Sequence, residues 1–154
     1  MKITFVFDEK KCSACGACAI ACMDQNDVDI SGGQQPYRKV YSYEKGPERV
    51  YISIACKHCE DAPCVAACPS GCLYKDKETG LTLYDTAYCV GCHSCAMACP
   101  YGAPSFRPGE NHRETMEKCH GCLERIRAGL KPACVHACPT GALVVRTEEE
   151  TSGC

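Results

Sequence analysis

The sequence predicts a small α+β fold with short strands, short helices and little regular secondary structure, organised around cysteine groups. The chain has 154 residues, of which 18 are cysteine. Leu, Ile, Val and Phe together account for 24 of the 154 residues. This share is below the roughly 20% that is expected for a self-sufficient globular core. Short β-prone runs, such as ITFVF at 3–7 and LVVRT at 143–147, separate the cysteine groups. Cysteine must therefore supply stability that apolar side chains supply elsewhere.

Disulfide bonds are the first candidate for this role, because small secreted proteins are stabilised by them in oxidising compartments. The N-terminal segment MKITFVFDEKK argues against secretion, since its apolar run is too short for a signal peptide and no twin-arginine pair precedes it. No stretch approaches the roughly 18 consecutive apolar residues of a membrane span. We therefore expect a cytoplasmic protein with reduced thiols and no direct membrane span.

The cysteines form a fourfold repeat. Sixteen of them fall into four groups that begin with C-x2-C and end with C-x3-C, while the middle step varies in length. The groups are Cys12, Cys15, Cys18 and Cys22; Cys56, Cys59, Cys64 and Cys68; Cys89, Cys92, Cys95 and Cys99; and Cys119, Cys122, Cys134 and Cys138. Proline follows every group except the first, as in the C-x2-C-x2-C-x3-C-P run of bacterial ferredoxins. The repeat predicts four [4Fe–4S] clusters.

The ligands are expected to be exchanged between groups. In two-cluster ferredoxins the fourth cysteine of each run binds the other cluster. Groups two and three are joined by a predicted hairpin, CLYKD and LTLYD around the turn KETG, so they form one pair and groups one and four form the other. We predict four ligand sets: site 1 (Cys12, Cys15, Cys18, Cys138), site 2 (Cys56, Cys59, Cys64, Cys99), site 3 (Cys89, Cys92, Cys95, Cys68) and site 4 (Cys119, Cys122, Cys134, Cys22).

This pairing predicts two ferredoxin-like two-[4Fe–4S] modules, one inserted in the other, within a single compact polyferredoxin over residues 1–154. Submodule A comprises residues 1–49 and 101–147, submodule B comprises 50–100, and 148–154 form a tail. The segments 24–49 and 101–118 are rich in Gly, Pro and charge, so we expect loops there. Because Met23 replaces proline after group one, that helix is expected to continue through residues 19–27.

Two cysteines and three histidines lie outside this scheme. Cys72 is expected to be a small buried hydrophobe and Cys154 an exposed terminal thiol. His58, His93 and His120 lie between ligand cysteines, where a surface position or packing beside a cluster is the main expectation and hydrogen bonding to sulfur the alternative. A zinc-binding structural or interaction module remains an alternative for the C-x2-C pairs, although zinc sites have no use for the third cysteine and the C-x3-C-P step.

The chain resembles a known family in three features: the order of the four groups, the segment CPYGAPSF at 99–106, and KCHGC with RIRAGLKPACVHACPTGAL at 118–143. These are similar to the iron–sulfur subunits of dimethyl sulfoxide reductase-type enzymes, over about residues 10–147. The resemblance implies an electron-transfer subunit that connects a molybdenum- or tungsten-pterin subunit, or a hydrogenase or formate dehydrogenase, to another redox partner. A flavin subunit or a soluble ferredoxin is a candidate second partner. The short chain is similar to cytoplasmic members, including the small subunit of tungsten aldehyde oxidoreductases.

Charge and ligand count exclude two other classes. The formal charge is −2, and four clusters with two negative charges each would bring it to about −10, so nucleic acid is not an expected partner. Each cysteine group is complete, which leaves no iron open to a substrate. We therefore expect no catalytic residues and no catalysis by this chain alone.

Overall fold

The computed structural model describes residues 1–109 and 113–148, and its elements are short. The strands are β1 (Ile3–Phe7), β2 (Lys39–Lys45), β3 (Glu48–Ile54), β4 (Leu73–Lys75), β5 (Thr82–Tyr84), β6 (Ser105–Pro108), β7 (Glu114–Glu117) and β8 (Leu143–Thr147). The helices are α1 (Ala17–Gln25), α2 (Pro63–Ala66), α3 (Ser94–Ala98), α4 (Leu123–Arg127) and α5 (Ala133–His136), with one 3-10 turn at Thr86–Tyr88. The predicted α+β class is confirmed.

The first and last strands form one antiparallel pair. Ile3 lies opposite Thr147 and Phe7 opposite Leu143, so the two predicted runs at 3–7 and 143–147 are both confirmed as strands. Helix α1 packs against α5 in the same part of the molecule. Cysteine groups one and four, which lie far apart in sequence, are therefore brought near each other.

The predicted hairpin between groups two and three is also confirmed. Strands β4 and β5 pair from Leu73↔Tyr84 to Lys75↔Thr82. Its turn is stabilised by Asp76, whose carboxylate accepts a hydrogen bond from the Thr79 backbone N–H at 3.1 Å. Helix α2 packs against α3 beside this hairpin, which brings groups two and three together.

The loops predicted over 24–49 and 101–118 are wrong in part. Strand β2 pairs with β3, and β6 pairs with β7. The β2–β3 turn places Gly46 at a φ of 63°, which glycine adopts without the steric cost of a Cβ. The segments KVYSYEK and ERVYISI contain β-prone residues, but the turn residues and charges at their ends favour the prediction of a loop. Cross-strand contacts between these residues stabilise the pair.

The division into submodules remains a prediction, although its boundary between 49 and 50 falls inside β3. The expected exposure of Cys154 and most of the predicted tail, 149–154, lie outside the described residues. Among those that are described, no helix is long and apolar enough to cross a membrane.

Proline controls the lengths of the cysteine-bearing helices. Helix α1, with Met23 after its last cysteine, has nine residues and runs to Gln25. Helices α2, α3 and α5 have four, five and four residues and end before the Cys-Pro step of their groups, because proline disfavours helix at the preceding residue. The expected continuation of the first helix is confirmed as far as Gln25.

Candidate metal centres

The four C-x2-C turns share one backbone feature. The residue before the second cysteine has a positive φ in each turn: 55° at Ala14, 50° at His58, 68° at Gly91 and 76° at Gly121. In two of the turns that residue donates its N–H to the sulfur of the first cysteine, at 3.4 Å from Ala14 and 3.3 Å from Gly121. A left-handed conformation costs a non-glycine residue about 1–2 kcal/mol, so the turn geometry is maintained at Ala14 and His58 against a local preference.

Site 1 combines the first three cysteines of group one with the last cysteine of group four. A cavity is lined by all four predicted members, together with Phe7, Val40 and Leu143. Packing of α1 on α5 and pairing of β1 with β8 bring Cys138 to this position. The structure thus brings together the ligand set that was predicted across the length of the chain.

Site 4 contains the reciprocal combination. A second cavity is lined by Cys22, Cys119, Cys122 and Cys134. Burial raises the pKa of the Cys22 thiol, and the other three thiols of the site raise it further. Burial also raises the pKa of Cys119 to about 12. A raised pKa favours the protonated thiol at Cys22 and Cys119, so metal binding must release protons there.

Site 3 lies between groups two and three. One cavity is lined by Cys68, Cys89, Cys92 and Cys95. The pKa of Cys95 is raised to about 11, first by burial and then by the other three thiols of the site. The fourth cysteine of group two therefore lies with the first three of group three.

Site 2 is identified by the electrostatic effect of Cys56 and Cys99 on the Cys64 thiol. Burial raises the pKa of Cys64, nearby Lys118 opposes this shift, and Cys56 and Cys99 add to it. Cys59 packs against the apolar cluster that contains Cys64. Cys99 thus lies beside group two, as the exchanged pairing predicts.

Further hydrogen-bond donors point at the predicted ligand sulfurs. The Met116 N–H donates to Cys89 Sγ at 3.3 Å, and the Ala103 N–H donates to Cys99 Sγ at 3.5 Å. Ser53 Oγ lies 3.3 Å from Cys18 Sγ. Such bonds stabilise the thiolate form that binds iron and contribute to the reduction potential of the cluster.

Two buried cations lie among the cysteines, and the sequence pattern did not reveal them. Lys118 is 0% exposed and Arg38 is 5% exposed. Lys118 Nζ donates to the backbone carbonyls of Thr82, at 2.5 Å, and Cys119, at 3.0 Å. Burial raises the pKa of Cys22, Cys119 and Cys134, and the positive charge of Arg38 opposes this rise. A buried cation requires a compensating negative charge, and a cluster with four thiolates provides one.

His58 adds a buried donor without an acceptor. Its Nδ1 accepts a hydrogen bond from the Thr82 N–H at 3.1 Å, so the proton of the neutral ring lies on Nε2. Burial, with Lys118 and Lys75 nearby, lowers the pKa of His58 to about 3. Within the described residues Nε2 is buried and has no hydrogen-bond partner. An unpaired buried N–H, buried cations and thiol-lined cavities fit a sulfur-rich anionic group at these sites.

The remaining predicted residues also take defined positions. Cys72 is confirmed as buried, at 2% exposure. His93 stacks on Phe106, with 3.7 Å between ring centroids, and lines the site 3 cavity. His120 Nε2 lies 2.8 Å from Asn26 Oδ1, and His120 lines the site 4 cavity. Over residues 1–109 and 113–148, no three His, Cys, Asp or Glu side chains converge closely enough to hold a single metal ion.

Cysteine-lined cavities built from the ferredoxin spacing define an iron–sulfur protein of the polyferredoxin class. The 4Fe-4S dicluster domain family matches residues 47–148. The chain is 38% identical over 151 residues to the B subunit of the anaerobic dimethyl sulfoxide reductase of Escherichia coli strain K12, covering 90% of this chain and 70% of that relative.

Two further relatives name related reductases. The chain is 37% identical over 145 residues to the thiosulfate reductase electron transfer subunit PhsB of Salmonella typhi, covering 88% of this chain and 71% of that protein. It is 33% identical over 192 residues to the arsenate respiratory reductase iron-sulfur subunit ArrB of Shewanella sp. strain ANA-3, covering 94% of this chain and 81% of that protein. The chain therefore belongs to the family of iron–sulfur subunits of dimethyl sulfoxide reductase-type enzymes. It is an electron-transfer subunit with four [4Fe–4S] clusters and not the catalytic subunit.

Proposed function

We propose that this chain conducts electrons between a molybdenum- or tungsten-pterin catalytic subunit and a second redox partner, with its four clusters held at sites 1 to 4. The observation that carries the assignment is the exchange of fourth cysteines. Cys138 lines the cavity of group one, and Cys22 lines the cavity of group four. Neither position follows from local chain geometry, because each pair of partners is far apart in sequence.

In this proposal the four sites form a row in the order 1, 4, 2, 3. Burial raises the pKa of Cys134 of site 4, and Cys18 of site 1 adds to this rise, which supports sites 1 and 4 as neighbours. Burial raises the pKa of Cys119 of site 4, and Cys56 of site 2 adds to this rise, which supports sites 4 and 2 as neighbours. One apolar cluster contains both Cys64 of site 2 and Cys95 of site 3, which supports sites 2 and 3 as neighbours.

The ends of this row lie nearest to solvent. All sixteen predicted ligands are within the described residues, and two of them are exposed: Cys15 of site 1 and Cys92 of site 3. Sites 2 and 4, in the middle of the row, have no exposed cysteine. Clusters bound at these sites would supply one-electron chemistry, and the exposed cysteines favour the two ends of the row as the points where electrons enter and leave.

The partners are proposed from the relatives. These relatives belong to dimethyl sulfoxide, thiosulfate and arsenate reductases, which supports a pterin-containing reductase subunit as the catalytic partner. Tungsten in that partner, a flavin subunit or soluble ferredoxin at the other end of the row, and a cytoplasmic location are the finer parts of the proposal.

The test is anaerobic purification of the chain with the subunits that accompany it, followed by metal analysis. We expect about sixteen irons per chain, together with molybdenum or tungsten in the accompanying subunit. Zinc in place of iron would contradict the cluster assignment. Full iron content with neither molybdenum nor tungsten in the complex would contradict the proposed partner alone.

A further inference from the structure

Cys72 is a fifth cysteine in the wall of site 3. Its side chain is 2% exposed and lines the same cavity as Cys68, Cys89, Cys92 and Cys95. It also packs in the apolar cluster that contains Cys89, Cys95 and Met116. The four ligand positions of a [4Fe–4S] cluster are already filled by the other cysteines, so Cys72 faces the site without being required as a ligand.

The internal repeat provides a direct comparison. CPSGCL at 68–73 corresponds to CPTGAL at 138–143, and the two segments have the same local structure. The Ser70 hydroxyl lies 3.6 Å from Cys68 Sγ, and the Thr140 hydroxyl lies 3.7 Å from Cys138 Sγ. The glycines that follow have φ values of 68° and 65°, and each segment leads into a strand, β4 or β8.

Cys72 therefore occupies the position that Ala142 occupies at site 1. Ala142 is also 2% exposed and lines the site 1 cavity with all four predicted ligands. Packing at this position is satisfied by a methyl group, as Ala142 demonstrates. The thiol of Cys72 adds a polarisable sulfur and an S–H donor to the wall of one end site only.

We propose that the Cys72 thiol donates a hydrogen bond to a sulfur atom of the cluster bound at site 3 and raises the reduction potential of that cluster. The proposal rests on the ligand assignment of sites 1 and 3. A reduced cluster carries one more negative charge than an oxidised one, so a donor in its wall stabilises the reduced form more. The thiol makes the two ends of the row unequal, because site 1 has Ala142 at the equivalent position.

Reciprocal substitutions test this inference in the full chain with its clusters bound. Cys72→Ala makes the wall of site 3 like that of site 1, and Ala142→Cys makes the reverse change. Redox titration followed by electron paramagnetic resonance should show that Cys72→Ala lowers one midpoint potential and leaves the other three unchanged. Ala142→Cys should raise a different single potential. The signal of site 3 is identified independently by its perturbation in Cys92→Ser.

A third variant and iron analysis distinguish the outcomes. Cys72→Ser retains a donor and should keep the potential nearer to the original value than Cys72→Ala does. Unchanged potentials in Cys72→Ala with full iron content would overturn the inference, and so would loss of the site 3 cluster, since that would make Cys72 a ligand. An unaltered chain with far fewer than sixteen irons would instead contradict the ligand assignment.

Discussion

Arg38 donates a hydrogen bond from Nη1 to Ser53 Oγ at 3.1 Å, and the same hydroxyl lies 3.3 Å from Cys18 Sγ. Arg38 lines the cavity of site 4, whereas Ser53 lines the cavity of site 1. Both side chains are buried. One buried cation and one hydroxyl thus connect two neighbouring sites through a hydrogen bond.

Replacement of Arg38 is expected to lower the reduction potentials of the clusters at sites 1 and 4. Arg38→Met removes a positive charge that favours the more negative reduced state, with an expected effect of about 1–2 kcal/mol, or roughly 40–90 mV for one electron. Redox titration should show lower reduction potentials for the clusters at sites 1 and 4 and nearly constant potentials for those at sites 2 and 3. Arg49→Met is the matched control, because Arg49 is an exposed residue paired with Glu44. Equal shifts in the two variants would contradict a specific role for Arg38.

Serine substitutions test the exchanged ligand sets. Cys22→Ser should perturb the cluster of group four, and Cys138→Ser should perturb that of group one, because each sulfur lines the cavity of the other group. Electron paramagnetic resonance and iron content check both variants. The two variants are controls for each other. Loss of the sequence-local cluster in each case would reverse the pairing.

Removal of iron is expected to unfold most of the chain. The apolar clusters are small and several of their members are predicted ligands, as in the cluster of Cys18, Cys134 and Leu143. Ligation therefore supplies much of the folding free energy. Far-ultraviolet circular dichroism of the chelator-treated protein should show loss of the short helices and strands, with recovery on anaerobic reconstitution. A native-like spectrum without iron would contradict this expectation.

Gly121→Ala is expected to destabilise the region of site 4. Gly121 has a φ of 76°, and an added Cβ would lie 2.7 Å from Leu81 Cδ1. Gly129 has a similar φ of 73° with no atom within 4 Å of its added Cβ, so Gly129→Ala is the matched control. Both changes cost about 1–2 kcal/mol through the left-handed backbone, and the contact with Leu81 adds about 1–3 kcal/mol. The midpoint of thermal unfolding should therefore fall further for Gly121→Ala; equal midpoints would argue against close packing on Leu81.

Elements whose structural signal is local are predicted correctly from the sequence. Strands 3–7 and 143–147, the β4–β5 hairpin and the extension of α1 past Cys22 all follow from short runs and the placement of proline. Strands β2, β6 and β7 were not predicted, because they depend on cross-strand partners and carry the charges and prolines that are typical of loops. Strand preference at such positions is decided by pairing more than by intrinsic propensity.

The sequence by itself determined the number of cysteine groups, the spacing of each group and therefore the kind of group that they bind. Spacing within a C-x2-C turn is a property of a few consecutive residues, which is why it can be recognised without a fold. Only the tertiary structure decided that Lys118 and Arg38 are buried among the cysteines and that Cys72 faces site 3 while Ala142 faces site 1. These environments depend on contacts between segments far apart in sequence, and burial of a charge or a thiol exists only once those segments have packed.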